Sequence, residues 1–161
     1  MPELPEVEIV ARRLGAQLEG AEVESALAPG MVALKTVDPP LSALVGRTIT
    51  GTRRVGKMPV VRFSASPTDD YGELELLVHL MSAGRLQAFD KRASLRDRAS
   101  RVLIRLADGR ELRLREFGSK QRAWAKLLRA GEVERDEMVA TLGPEAWPTP
   151  PLADFARAID Q

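Results

Sequence analysis

The chain opens Met1-Pro2-Glu3-Leu4-Pro5-Glu6, and the start of that string could do chemistry. Methionine is commonly trimmed before proline, which would expose Pro2 as a free secondary amine. An N-terminal amine titrates near ~8 when unperturbed, so a useful fraction is neutral at physiological pH. A neutral secondary amine can attack an electrophilic sugar carbon and form an iminium. Glu3, one residue on, could supply the proton for ring opening or for departure of a leaving group. The plainer alternative is an ordinary helix start, with acidic residues where the macrodipole favours them. Both readings stand on these residues alone.

Other chemistry is narrowed by composition. No cysteine exists, which removes disulfides, thiol nucleophiles and cysteine-ligated zinc or iron–sulfur sites. A single histidine excludes a His-rich metal site, and the expectation is no metal and no cofactor. Carboxylates, lysines, hydroxyls and the chain's own N-terminus remain. The 161 residues, 44% apolar and 29% charged, suit one soluble globular domain. No run approaches the length that spans a bilayer, and no apolar stretch follows a basic N-terminus. The expectation is a protein neither secreted nor bound to a membrane.

A net charge of +1 hides an asymmetry. Residues 85–130 hold 14 Lys and Arg against 5 Asp and Glu, a local charge of +9, and the remainder carries −8. A basic middle on a balanced chain is a candidate polyanion-binding face, or else a set of solvated strand faces.

The elements that must position these residues begin with a helix. Val7, Val10, Leu14 and Leu18 recur at helical spacing, Gly20 sits where a C-terminal cap belongs, and Pro5 suits a first turn. Residues 1–4 then form an extended arm. From about residue 21 to 128 short strands take over: 46–52, 58–63 and 74–81, with a polar loop at 64–72. Val102–Leu106 and Leu112–Arg115 flank Asp108-Gly109 and predict a hairpin, with Leu112 and Leu114 inward and Arg113 and Arg115 outward. The Arg-rich stretch 90–100 reads as a mobile loop, and 132–142 as a short helix. Residues 144–151 hold four of the eleven prolines and read as a linker. Leu152, Phe155 and Ile159 then begin an apolar helical stripe that stops in mid-pattern. Trp124 and Trp147 read as packing residues.

Five strings in order carry a resemblance. Met1–Glu8 (Met-Pro-Glu-Leu-Pro-Glu-Val-Glu), Arg53-Arg54-Val55-Gly56-Lys57, Val78-His79-Leu80-Met81-Ser82-Ala83-Gly84-Arg85-Leu86, Arg115-Glu116-Phe117-Gly118 and Leu142-Gly143-Pro144-Glu145 together resemble the formamidopyrimidine-DNA glycosylase and endonuclease VIII family. Residues 33–40 look more like its divergent, actinobacterial-type members. The resemblance implies a fold that is mainly β with α: an N-terminal helix packed on a two-layer antiparallel β-sandwich with few short helices. It implies a catalytic domain over 1–143. Residues 144–161 would be a linker and the truncated start of a helical second domain, with its helix–two-turn–helix region and finger outside the chain.

For function, the resemblance implies a bifunctional glycosylase and AP lyase of base-excision repair. Pro2, Glu3, Glu6 and Lys57 would be catalytic. Pro2 attacks C1′ of the damaged nucleotide, Glu3 protonates the sugar ring oxygen, and Glu6 holds the helix start. Lys57 and His79 would hold phosphates, and Arg115 and Phe117 would fill the gap left by an extruded base. On their residues alone, Lys57 is equally an exposed hairpin lysine, His79 a core residue, and Phe117 a core aromatic at a strand end. The implied partner is double-stranded DNA with an oxidised base or abasic site, met by a monomer in the bacterial cytoplasm at the nucleoid. The competing reading is a DNA-binding module of the same fold without turnover. An unrelated oligonucleotide-binding fold would show more exposed aromatics than a 4% aromatic content supplies. Two departures from the family pattern bear on void filling. Ser82 stands where the family has a wedge methionine, and Glu116 replaces the second arginine of its loop, which puts a negative charge near a polyanion.

Overall fold

A computed structural model describes residues 4–29, 33–118 and 120–140. The elements run α1 (Leu4–Leu18), β1 (Val23–Leu27), β2 (Ile49–Val55), β3 (Met58–Phe63), β4 (Leu74–His79), β5 (Arg85–Phe89), β6 (Ser100–Leu106), β7 (Glu111–Arg115), β8 (Trp124–Arg129) and α2 (Glu137–Ala140). Short 3₁₀ turns lie at Leu41–Leu44 and Val133–Arg135. One antiparallel sheet has the order β1-β6-β7-β5 and the other β2-β3-β4-β8. The two-layer, mainly β architecture with an N-terminal helix is the one the sequence predicts.

Helix α1 buries Val7, Ala11, Leu14 and Leu18, one residue per turn or nearly so. It lies along β2 and runs opposite to it. Glu8 pairs with Arg54 at 2.5 Å, the Thr52 hydroxyl donates to the Ala11 carbonyl, and the Gly20 amide donates to Ile49 at 2.8 Å. Gly15 permits the approach, because a Cβ there would meet Thr52 Oγ1 at 2.7 Å. The helix already includes Leu4, so the expected extended arm is shorter by at least one residue. Pro5 causes no loss so near a helix start, where amides have no intrahelical acceptor.

The main core joins α1 to both sheets through Leu14, Leu18, Phe63, Leu76, Ile104 and Leu112. A second cluster covers the other face of β2, β3 and β4, where Val55, Met58, Val60 and Leu77 meet Val133 and Val139. That is why 58–63 and 74–79 are near-continuous apolar runs in an antiparallel sheet, where alternation is the rule. The predicted helix at 132–142 is split into the Val133–Arg135 turn and the four-residue α2, with 141 onward outside the described residues, as are Trp147, the proline-rich stretch and residues 152–161.

Two expectations need correction. Leu112 and Leu114 do face the core, but Arg113 does not face solvent. It is 8% exposed, pairs with Glu111 and packs over the Phe89 ring at 3.8 Å. Its cover is the Arg-rich segment read as a mobile loop. Lys91 O accepts from Arg113, the Ala93 amide donates to Glu111 at 3.0 Å, and Ala93 O accepts from Arg105 at 2.9 Å. Desolvation pushes the Glu111 carboxyl up, but the Ala93 amide and the two guanidiniums outweigh it and hold its pKa below the ordinary value. A strand pattern shows which residues share a face, not what later chain will cover that face. In the β6–β7 hairpin, Leu106 and Arg110 close a three-residue loop with Gly109 at φ 96°. Asp108-Gly109 thus serves a loop with a left-handed third residue, not a two-residue turn.

Arg47 was read only as part of a strand. It is 1% exposed and its guanidinium organises three segments. It donates to the carbonyls of Ala43, Ser64 and Gly72 at 2.8, 2.8 and 2.7 Å, and to both Asp69 oxygens at 2.7 Å. Lysine cannot reproduce that fork. Arg47→Lys and Arg47→Ala should each lower stability by about 3 kcal/mol or more, the scale for breaking a buried charged pair. Urea unfolding checks this, and a midpoint unchanged from wild type would contradict it.

Candidate functional site

Strand order brings the sequence-predicted residues to one end of the sandwich. β2 ends and β3 begins at the Gly56-Lys57 turn, where Gly56 takes φ 60° and Val55 pairs with Met58. β4 ends at His79, paired with Trp124 at the start of β8. β5 begins at Arg85, paired with Arg115 at the end of β7. Two connections join the sheets at this end, 80–84 and 116–123. Because α1 runs opposite to β2, its N-terminal turn lies here as well, with Glu8 on Arg54. Pro2 and Glu3 lie outside the described residues, directly ahead of α1 in sequence. Glu6 is exposed in the helix's first turn.

Lys57 is partly exposed at the hairpin tip and makes no ion pair among the described residues. His79 is half-buried, its ring tilted on Trp124 at 5.2 Å. Its Nδ1 accepts the Met81 amide at 3.1 Å, which places the ring proton on Nε2. Burial lowers its pKa below the ordinary 6.5, so the ring is neutral at pH 7. Met81 itself sits at φ 54°, a left-handed conformation uncommon for a side chain of its size. Ser82 and Ala83 are exposed at the top of that turn. Gly84 closes it: its amide donates to Leu80 O at 2.7 Å, and a Cβ would meet that oxygen at 2.5 Å.

Arg115 and Phe117 are brought together. The Arg115 guanidinium lies 4.7 Å from the Phe117 ring centroid and 5.3 Å from that of Phe89. Phe117 is 65% exposed, so it is not a core aromatic. Glu116 is 2% exposed and faces inward, away from where its sequence position suggested a repelling charge. Its Oε1 accepts the amides of Arg122 at 2.6 Å and Ala123 at 2.9 Å. A carboxylate accepts two such bonds better than an arginine could, since arginine has no acceptor. Sequence reasoning also missed Arg101 and Gln121. Arg101 donates to Gln121 Oε1 at 2.7 Å, while Gln121 Nε2 donates to the carbonyls of Arg98 and Glu116 at 2.8 and 2.7 Å. Nothing in their spacing could have flagged them, because the contacts join loops far apart in sequence.

Ten of the fourteen cations of the basic segment fall into two groups. Arg92, Arg105, Arg110, Arg113, Lys126 and Arg129 sit against carboxylates. Arg96, Arg98, Lys120 and Arg122 are exposed and have no carboxylate partner among the described residues. These four lie on the two loops that flank Phe117. Among the described residues no group of three or more His, Cys, Asp or Glu is placed to hold a metal ion, and no helix is long and apolar enough to cross a membrane.

This arrangement has known counterparts. Residues 1–120 match the family described as formamidopyrimidine-DNA glycosylase N-terminal domain. The formamidopyrimidine-DNA glycosylase of Moorella thermoacetica is 35% identical over 150 residues, which are 90% of this chain and 50% of the relative. That of Latilactobacillus sakei is 31% identical over 166 residues, covering 100% of this chain and 55% of the relative. Among solved structures, a MutM complex with carbocyclic 8-oxo-G containing DNA has a TM-score of 0.69 at 26% identity, covering 88% of this chain and 50% of that one. Lactococcus lactis Fpg with abasic site containing DNA has a TM-score of 0.70 at 26% identity, covering 89% of this chain and 49% of that one. The chain spans about half the length of the curated relatives it matches. With the family model matching most of its length and relatives above 30% identity covering nearly all of it, the chain belongs to the formamidopyrimidine-DNA glycosylase family.

Proposed function

We propose that this chain is the catalytic half of a DNA glycosylase and AP lyase that acts on duplex DNA carrying an oxidised base or an abasic site. The observation that carries the reading is the convergence at one end of the sandwich. The start of α1, the Lys57 turn, His79, and the Arg115–Phe117 pair all lie there in a chain of this family. Solved relatives bound to lesion-containing and abasic DNA support the partner.

The chemistry uses the chain's own groups and needs no cofactor. Pro2, freed of Met1, attacks C1′ through its nitrogen lone pair. Glu3 protonates the sugar ring oxygen, the ring opens, the base departs, and an iminium remains. The iminium acidifies C2′. Loss of that proton expels the 3′ phosphate by β-elimination, and δ-elimination then releases the 5′ phosphate. Glu6 holds the helix start, and Lys57 and His79 Nε2–H contact phosphates beside the extruded nucleotide. Phe117, backed by Arg115, occupies the vacated space. The protein works as a monomer in the bacterial cytoplasm.

Borohydride trapping on abasic duplex DNA should give a covalent adduct that peptide mapping places on Pro2. An adduct on a lysine would overturn the nucleophile. No adduct from a chain that still binds DNA would favour the binding-module reading. Glu3→Gln should slow excision of a damaged base by about 10²-fold or more, the usual scale for a general acid. Cleavage of a preformed abasic site should suffer less, since no base has to leave. Equal losses in both assays would make Glu3 a group that orients Pro2.

His79 gives a pH dependence with a defined sign. Burial holds the folded pKa below 6.5, so below that pH the unfolded chain takes up a proton that the folded chain does not. The contribution to stability is full above 6.5 and is lost as pH falls toward the folded pKa. Urea midpoints at pH 7.5 and 5.5 should therefore drop more for wild type than for His79→Gln. Equal drops would show that His79 does not titrate in this window.

A further inference from the structure

We propose that Arg96, Arg98, Lys120 and Arg122 form a second phosphate-holding surface, which grips the duplex beyond the lesion on the Phe117 side. This rests on the glycosylase reading and adds a surface to it. The four cations come from two loops, 90–99 and 116–123, that are tied together by backbone and side-chain bonds. The Glu116 amide donates to Ala99 O at 2.9 Å, and Gln121 spans from Arg98 O to Glu116 O. Arg101 holds Gln121 from beneath, and the Glu116 carboxylate fixes the amides of Arg122 and Ala123. The loops are thus set before any ligand arrives, and little ordering entropy opposes binding.

Charge at this surface is uncompensated by design of the neighbours. Asp97, between Arg96 and Arg98, directs its oxygens to the Ala99 amide at 3.0 Å and the Ser100 hydroxyl at 2.9 Å, and the Glu116 carboxylate is likewise turned inward onto the Arg122 and Ala123 amides. The two bonds to Asp97, the amide first, hold its carboxyl below the ordinary range, so it stays an inward-bonded anion. Between the loops lies a depression of about 250 Å³, lined by Asp97, Arg98, Glu116, Phe117 and Gln121 among others. The depression thus shares Phe117 with the proposed void-filling pair, so a duplex with Phe117 in its stack would bring flanking phosphates over these loops. Phosphates of a polyanion suit four cations on two tied loops, because each neutralised phosphate releases its condensed counterions. Arg13 and Arg135 are exposed cations outside these two loops.

The test is fluorescence anisotropy of the full chain with short abasic and undamaged duplexes, titrated at several salt concentrations. Each phosphate contact contributes about 0.9 to the slope of log affinity against log salt. Arg96→Gln/Arg98→Gln and Lys120→Gln/Arg122→Gln should each flatten that slope by about two units, on both duplexes. A fourfold rise in salt should then cost wild type about tenfold more affinity than either double variant. Lys57→Ala should flatten the slope by about one unit, and Arg13→Gln/Arg135→Gln should leave it unchanged. Slopes of the cluster variants that superimpose on wild type, with Lys57→Ala still weakened, would overturn the second surface alone. Equal flattening by Arg13→Gln/Arg135→Gln would also overturn it, since overall charge would then be the cause. If Lys57→Ala also leaves binding unchanged, the DNA-cleft reading itself falls.

Discussion

The functional end of this molecule depends on one constraint: the chain must cross between its two sheets twice at the same end. The crossings at 80–84 and 116–123 carry backbone polar groups out of the ladders, and those groups need partners. The first crossing is closed by the Leu80–Gly84 bond, which requires glycine because a Cβ has no room. The second is closed by the inward carboxylate of Glu116, which takes two amides at once. Partnering of those amides ties down the loop that carries the exposed Phe117. Without Glu116 the loop would have two amides to satisfy elsewhere.

Electrostatics follows the same division of labour. A chain of net charge +1 concentrates +9 in one segment, yet much of that charge is consumed in holding the fold. Arg105 and Arg113 flank the buried Glu111, and each removes the cost of burying the others. Lys126 pairs with Asp136, and Arg92 with Glu24. Among the cations without a carboxylate partner, Lys57 lies on the β2–β3 turn and Arg96, Arg98, Lys120 and Arg122 lie on the two tied loops at the same end. A field of this kind raises the local concentration of a polyanion without a large net charge.

Much of the fold was legible because its signals were local. The α1 stripe, the β3 run and the β6–β7 hairpin are each set by residues within one element or one turn. What was not legible was what covers what. Arg113 alternates with Leu112 and Leu114 as an outward residue should, yet the 90–98 loop comes back over it. Arg47 stands among β-branched residues with no pattern of its own, since its five bonds go to segments up to 25 residues away. At the candidate site, the residues with family motifs were legible, and those that hold them were not. Glu116 is the plainest case. Its sequence position suggested a charge facing DNA, and its side chain instead faces the loop's own amides.

The departures from the family pattern also redistribute the proposed work. At the first crossing, Ser82 occupies the exposed top of the turn, and a serine is too short to fill a vacated base position. Met81 is larger, but its amide is committed to His79 Nδ1, and its backbone is held at φ 54°. Swinging Met81 outward would free a half-buried imidazole acceptor and disturb the ring proposed to offer Nε2–H to phosphate. On that proposal, void filling from this crossing is coupled to phosphate contact. The second crossing has no such conflict. Phe117 is already exposed, Arg115 is already stacked against it, and the loop behind them is closed by Glu116 and Gln121. On the proposed function, filling the gap rests on Arg115 and Phe117, and the first crossing serves chiefly to hold His79 in one tautomer.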